Sequence, residues 1–135
     1  MSEYRKPVPV VDEVSRPFWR GTKRREILLQ KCRDCENLIY YPRPLCTKCF
    51  GSNFEWTRCS GYGTVYNYTV TYQSVISGFD EDLPYVFAIV ELEEGVRVSS
   101  NIVGCSPEDV KIGMPVEVAF EEISEEVALP KFRPR

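Results

Sequence analysis

The C-terminal part of the chain alternates apolar and polar residues in short segments. The alternation is clearest over residues 115–122, where Val116, Val118 and Phe120 are predicted to share one face of a half-buried strand. Further β-prone segments, each bounded by turn residues, occupy positions 64–73, 85–91, 96–103 and 127–132. In the first of them, one face is predicted to hold Tyr66, Tyr68, Val70 and Tyr72. The pattern therefore predicts five short strands.

The residues between these segments indicate how the strands are connected. Glu93-Glu94-Gly95 is typical of a tight hairpin turn. Ser106 followed by Pro107 predicts a helical turn between the third and fourth strands, with Ser106 as its N-cap. Five strands with a helical turn at this place are typical of an OB-fold. We therefore predict a mainly β protein that contains an antiparallel, five-stranded OB-fold barrel.

A short helix is predicted near the N-terminus. Ser15 and Pro17 are typical of a helix start, and the helix is expected to run to about Arg25. Phe18 and Trp19 are large for so short a helix, and they either fold back on the chain or anchor a partner protein, which makes them docking candidates. Residues 1–11 are expected to form a flexible or extended arm.

Two pairs of cysteines predict a metal site. Cys32 and Cys35 form one CxxC pair, and Cys46 and Cys49 form another ten residues later. Tetrahedral zinc binds four thiolates at about 2.3 Å, and a two-residue spacing lets both cysteines of a pair reach one ion. The pattern predicts a zinc ribbon that holds one structural zinc ion. The alternatives are two disulfides, a redox thiol pair, or iron in a rubredoxin-like cage, which uses the same ligands.

Other residues limit the chemistry. The sequence has no histidine, which excludes histidine triads, ligands and proton shuttles. Cys59 and Cys105 therefore lack the usual base, and we expect both to be small buried apolar residues. No apolar run approaches the roughly 18 residues of a membrane span, and the first residues lack the apolar core of a secretory signal. We accordingly expect a cytoplasmic protein.

The charge is unevenly distributed. Up to Arg58 there are 12 Lys and Arg against 7 Asp and Glu, and after it there are 5 against 13, which gives +5 and −8. This division suggests two modules with different partners, or two solvated surfaces of opposite sign. Four cations adjacent to the cysteines are expected to offset the charge of the metal site, namely Lys31, Arg33, Arg43 and Lys48.

The order of the motifs resembles a known family. From residue 15 to residue 134 the chain is similar to the acyl-CoA-associated OB-fold proteins with an N-terminal rubredoxin-like zinc ribbon, first catalogued as a domain of unknown function. The resemblance is carried by Phe18-Trp19-Arg20, the two CxxC pairs, Tyr41-Pro42-Arg43-Pro44, Gly61-Tyr62-Gly63-Thr64-Val65, Pro84-Tyr85-Val86, Val103-Gly104-Cys105, Gly113-Met114-Pro115-Val116-Glu117-Val118 and Leu129-Pro130-Lys131-Phe132-Arg133-Pro134. Three parts follow: an arm and helix over residues 1–26, the ribbon over 27–58 and the barrel over 59–135.

The resemblance implies a non-catalytic partner of thiolase-like enzymes, of the thiolase or hydroxymethylglutaryl-CoA synthase type. It also implies that all four zinc ligands are retained, at Cys32, Cys35, Cys46 and Cys49. The protein is then expected to dock on such an enzyme and to help hold or channel a CoA thioester.

Charge alone, and not the resemblance, provides candidate sites for CoA. The candidates for its phosphates are Arg20, Lys23, Arg24 and Arg25, unless these cations form only a solvated face. The loop over residues 74–83, or Tyr68, is a candidate for lining an apolar groove. A single-stranded nucleic-acid-binding protein is the alternative, although the charge of −8 on the barrel part disfavours it. An iron electron carrier and an enzyme acting alone are further alternatives.

Overall fold

Two β-sheets follow one another along the chain, preceded by a helix. The computed structural model describes residues 8–72 and 83–135. Helix α1 spans Arg16–Lys23, and the first sheet has the order β2-β1-β3, with β1 at Ile27–Cys32, β2 at Leu38–Ile39 and β3 at Phe54–Cys59. The second sheet is a closed barrel of order β4-β5-β6-β8-β7. Its strands are β4 (Tyr62–Thr71), β5 (Tyr85–Leu92), β6 (Arg97–Ile102), β7 (Pro115–Glu122) and β8 (Ala128–Pro134). The predicted fold class is confirmed.

The barrel closes between strands that are distant in sequence. β4 pairs with β5 and β7, β5 with β6, and β7 with β8, all antiparallel. β6 and β8 are parallel and meet at one residue pair, Ile102 and Phe132. The barrel was predicted to be antiparallel, and this prediction is wrong for the β6–β8 pair, which is parallel. The turn at 93–95 joins β5 to β6 as predicted, and a 3-10 turn at Pro107–Asp109 precedes β7.

A β-bulge changes the predicted faces of β4. The pairing with β5 shifts between Val65 and Asn67, which inserts an extra residue into β4. Val65 is buried on the inner face before the bulge, whereas Tyr68 and Val70 are half-buried against the core after it. Tyr66 is 47% exposed. The prediction that Tyr66 shares a face with Tyr68 and Val70 is therefore wrong, because the bulge interrupts the two-residue period.

Helix α1 ends earlier than predicted, in a Schellman motif. Glu26 N–H donates to Gly21 O at 2.9 Å, and Arg25 N–H donates to Thr22 O at 3.0 Å. Arg25 has φ +64°, the left-handed conformation that terminates a helix. At the start, Ser15 makes no side-chain cap to the helix and instead exchanges hydrogen bonds with Asp12. Among the described residues, no helix is long and apolar enough to cross a membrane.

Phe18 and Trp19 pack the helix against the rest of the fold. Phe18 is fully buried and Trp19 is 4% exposed. The Phe18 ring lies 5.9 Å from the ring of Tyr40 and 5.8 Å from that of Tyr41, and Trp19 Nε1 donates to Tyr41 Oη at 3.0 Å. Phe18 also belongs to one buried hydrophobic cluster with barrel residues that include Phe132. Both side chains are packed in the interior, as the first of the two alternatives expects, and that they also anchor a partner protein stays a prediction.

The predicted N-terminal arm falls mostly on residues 1–7, and most of the predicted loop over residues 74–83 falls on 73–82. Both stretches lie outside the described residues.

Candidate metal centre and surface grooves

The four paired cysteines lie on two equivalent turns. In the first, Glu36 N–H donates to Cys32 O at 2.8 Å, and Glu36 has φ +64°. In the second, Phe50 N–H donates to Cys46 O at 3.0 Å, and Phe50 has φ +62°. Each turn directs its two thiols to the same point, and the four sulfur atoms lie within 4.8 Å of one another. The structure thus forms a four-cysteine metal site at the end of β1.

The distances between the sulfurs fit a tetrahedral ion. Cys32 Sγ lies 3.5 Å from Cys49 Sγ, and Cys35 Sγ lies 3.6 Å from Cys46 Sγ. Sulfurs bound to tetrahedral zinc are about 3.8 Å from one another, whereas disulfide sulfurs are about 2.05 Å apart. A closed shell of four thiolates leaves no coordination position for a substrate, so the ion that it holds is structural.

Donors to these sulfurs come from the backbone and from one amide. Lys48 N–H approaches Cys46 Sγ at 3.4 Å, and Asn37 Nδ2 approaches it at 3.9 Å. The backbone N–H of Cys49, acting against the effect of burial, lowers the pKa of the Cys46 thiol to about 6. Among the cations expected to offset the sulfur charge, Arg33 pairs with Glu55 at 3.8 Å. Sequence reasoning missed the turn N–H groups, because they depend on backbone conformation and not on residue type.

The two remaining cysteines differ in burial. Cys59 is 5% exposed at the end of β3, and burial, with a smaller effect of Glu94, raises the pKa of its thiol to about 12. Cys105 is half-buried and lines a cavity of about 370 Å³ beside Glu121 and Lys131. The expectation of a buried apolar residue is met at Cys59, and it is only partly met at Cys105.

Three of the four cations predicted to bind phosphate line one groove. This α1 groove has a volume of about 420 Å³ and is lined by Val11, Arg16, Trp19, Arg20, Lys23, Arg24, Glu125 and Glu126. Arg25 does not line this groove: its guanidinium donates to Phe120 O at 3.1 Å and pairs at 3.9 Å with Glu122, whose carboxylate Lys23 also contacts at 3.6 Å. The structure therefore replaces Arg25 with Arg16 in this cluster. That these cations bind phosphate stays a prediction.

A second groove crosses the outer face of β5 and β6. This β5–β6 groove has a volume of about 340 Å³, and its lining residues include Trp19, Tyr40, Phe87, Asn101, Leu129 and Lys131. Trp19 lines both grooves. Tyr68, predicted to line an apolar groove, packs instead against the core. The β5–β6 groove escaped sequence reasoning because its walls come from five separate segments.

Two family models match consecutive parts of the chain. The rubredoxin-like zinc ribbon domain of ChsH2 matches residues 19–55, and the C-terminal OB-fold domain of ChsH2 matches residues 56–121. The four-cysteine site lies within the zinc ribbon match, and the centre is therefore a site for one structural zinc ion.

Relatives of known name are similar over most of the chain. A DUF35 domain-containing scaffold protein of Methanocaldococcus jannaschii is 43% identical over 110 residues, which cover 80% of this chain and 77% of the relative. A probable enoyl-CoA hydratase alpha subunit of Thermomonospora curvata is 35% identical over 96% of this chain, but the match spans only 40% of that protein's length. The benzoylsuccinyl-CoA thiolase subunit BbsA of Geobacter metallireducens is 32% identical over 74 residues, which are 55% of this chain and 48% of that subunit.

A solved structure has the same fold. A chain of the Ltp2-ChsH2(DUF35) aldolase superposes with a TM-score of 0.82 at 35% identity, and the match covers 94% of this chain and 98% of that one.

Proposed function

The chain belongs to the DUF35 family that includes ChsH2, and we propose that it is a non-catalytic subunit that docks on a thiolase-like enzyme and helps hold its CoA thioester. The names of the relatives support a role beside an enzyme: one is a scaffold, two are subunits of enzymes of CoA thioesters, and the structural relative comes from an aldolase that also contains Ltp2.

The observation that carries the proposal is the closed metal site. Within residues 8–72 and 83–135, the four-cysteine site is the only group of three or more side chains of metal-ligating type whose ligand atoms lie close enough together to share an ion. Its four thiolates fill a tetrahedral shell, which makes the ion a rigid structural element and not a Lewis acid for a substrate. Such a centre suits a protein that presents a fixed surface to an enzyme.

The second cysteine turn provides an apolar contact for docking. Leu45 and Phe50 flank this turn, and they are 49% and 75% exposed. Because the turn is held by the metal, these side chains can enter a partner surface at little cost in conformational entropy. An exposed aromatic residue on a rigid element is also the kind of side chain that dominates protein interfaces.

Affinity capture followed by reconstitution tests the proposal. The tagged full-length chain, with zinc bound, is expected to capture a thiolase, aldolase or hydratase that acts on CoA thioesters, identified by mass spectrometry. The purified pair should then co-elute in size-exclusion chromatography. Phe50→Ser should weaken this complex, whereas Ile112→Ser removes a comparably exposed side chain (67%) from the barrel and should not.

A pair of cysteine variants separates the metal from the thiols. Cys46→Ser should lose zinc and the complex, whereas Cys105→Ser should retain both, because Cys105 lies outside the metal site. The proposal fails if no CoA-thioester enzyme co-purifies, or if the isolated chain turns over CoA thioesters by itself.

A further inference from the structure

The α1 groove carries an unbalanced positive charge. Among the described residues, its lining contains four cations and two carboxylates, a net charge of +2. The four cations are Arg16, Arg20, Lys23 and Arg24, which lie on one side of the helix because they are spaced by three or four residues. Like charges at this spacing repel one another. This repulsion lowers the stability of the helix, and a bound anion would reduce the repulsion.

Of these four cations, Lys23 and Arg24 form ion pairs with described residues, and Arg16 and Arg20 do not. Lys23 donates to Ser124 O at 3.1 Å and pairs with Glu122 at 3.6 Å, and Arg24 pairs with Glu26 at 3.7 Å. Arg16 and Arg20 are exposed and make no ion pair with any described residue.

The position of Arg16 is also unfavourable for the helix itself. It is the first residue of α1, where the helix dipole disfavours a positive charge; the first turn contains no acidic residue, and the Asp12 carboxylate that lies before it accepts from Ser15 N–H. A bound phosphate would compensate both effects, since guanidinium groups bind phosphate oxygens in a bidentate manner.

Trp19 also lines the β5–β6 groove, which contains more aromatic side chains. Its walls include Phe87, which is 43% exposed, and Leu129, together with polar residues such as Asn101 and Lys131. A ligand that extends past Trp19 from one groove to the other would meet a cluster of cations on one side and aromatic and aliphatic surface on the other. Among cellular metabolites, CoA combines a phosphate-rich nucleotide with a long, weakly polar pantetheine arm.

We propose that a CoA thioester binds across Trp19, with its phosphates at Arg16 and Arg20 in the α1 groove and its pantetheine arm in the β5–β6 groove. This inference rests on the proposed function, because it names the place where the CoA thioester is held.

Calorimetry with two ligands tests the assignment on the zinc-loaded full chain. The ligands are acetyl-CoA, and adenosine 3′,5′-bisphosphate, which lacks the pantetheine arm. The double variant Arg16→Gln/Arg20→Gln should weaken binding of both by about tenfold, as expected for two exposed ion pairs. Phe87→Ser should weaken acetyl-CoA by about fivefold, through the loss of roughly 40 Å² of apolar contact, and leave the bisphosphate unchanged.

A matched control corrects for net charge. Arg97→Gln/Arg133→Gln removes the same charge from the barrel surface, where the two arginines pair with Glu91 and Glu117, and it should leave both affinities unchanged. Equal thermal unfolding midpoints would establish that all variants are folded.

The outcomes separate this inference from the proposed function. The inference is overturned if the Arg16/Arg20 variant binds acetyl-CoA like the parent chain, or if the parent chain does not bind acetyl-CoA at all. Capture of the enzyme would in either case still support docking. If the same variant loses the enzyme but keeps its affinity for acetyl-CoA, the α1 groove is a protein contact and the inference is wrong.

Discussion

Replacing Thr22 with valine tests how α1 is attached to the barrel. Thr22 is fully buried, and its hydroxyl donates to Trp19 O at 2.7 Å and accepts from Ala128 N at 3.3 Å. Ile123 N donates to Val127 O across the β7–β8 hairpin. Hydrogen-bonded and non-hydrogen-bonded pairs alternate along an antiparallel ladder, so the next pair, Glu122 and Ala128, is a non-hydrogen-bonded one. The N–H of Ala128 therefore points away from β7, towards the helix.

The expected loss follows from that geometry. Valine has nearly the shape of threonine but no hydroxyl, so Thr22→Val leaves the buried N–H of Ala128 without an acceptor. An unsatisfied buried donor costs about 1–3 kcal/mol. We expect a decrease of about 2 kcal/mol in the free energy of unfolding, or a shift of roughly 1 M in the urea midpoint.

Thr22→Ser is the matched control. It keeps the hydroxyl and loses one methyl group, which costs about 1 kcal/mol. Urea unfolding of the zinc-loaded chain, followed by tryptophan fluorescence, should rank the parent above the serine variant and the serine variant above the valine variant. A valine variant as stable as the serine variant would refute the argument, since the hydroxyl would then contribute nothing to the attachment of α1.

Further predictions concern the metal, a close contact and a buried thiol. Removing zinc with a strong chelator should lower the thermal unfolding midpoint in calorimetry, and added zinc should restore it; an unchanged midpoint would contradict a structural role. Gly63→Ala should lower the free energy of unfolding by about 1–3 kcal/mol in urea, because the added Cβ would lie 2.5 Å from Glu91 O. An unchanged stability would show that β4 and β5 can move apart at little cost. Because burial raises the pKa of Cys59 from 9.0 to about 12, only the unfolded chain loses this proton as the pH rises above about 9. Between pH 9 and pH 12 the free energy of unfolding should then fall by up to about 1.4 kcal/mol per pH unit more steeply in the parent chain than in Cys59→Ala. If stability depends on pH equally in the two chains, the thiol of Cys59 is not buried in this way.

The strands and the metal site could be predicted because their signals are local. A two-residue period, a turn glycine and a CxxC spacing each lie within a few residues, and β7 was predicted at its observed bounds. The parallel closure at Ile102 and Phe132 joins residues 30 positions apart, and nothing in either segment specifies it. The bulge after Val65 was missed for a related reason, since it depends on the pairing of β4 with β5 and not on β4 alone.

The cation cluster was predicted only in part. The charge pattern identifies a basic segment, but Arg25, in the left-handed conformation of the Schellman motif, reaches Phe120 O outside the α1 groove and shares the Glu122 carboxylate with Lys23. Arg16 joins the α1 groove because the helical period places it one turn before Arg20. Composition therefore located the charge, and the end of the helix decided which cations line the same groove.

The shared core bears on the predicted domain boundaries after residues 26 and 58, which stay a prediction. One hydrophobic cluster contains Phe18 of the helix, Leu29 of the ribbon sheet, and Val90 and Phe132 of the barrel. A boundary at either position divides this cluster, so the ribbon cannot unfold alone without exposing apolar surface of the barrel. We therefore expect a single unfolding transition for the zinc-loaded chain, with coincident tryptophan fluorescence and far-ultraviolet circular dichroism. Two separate transitions would show that the ribbon and the barrel are independent modules, and that Phe18 contributes little to holding them together.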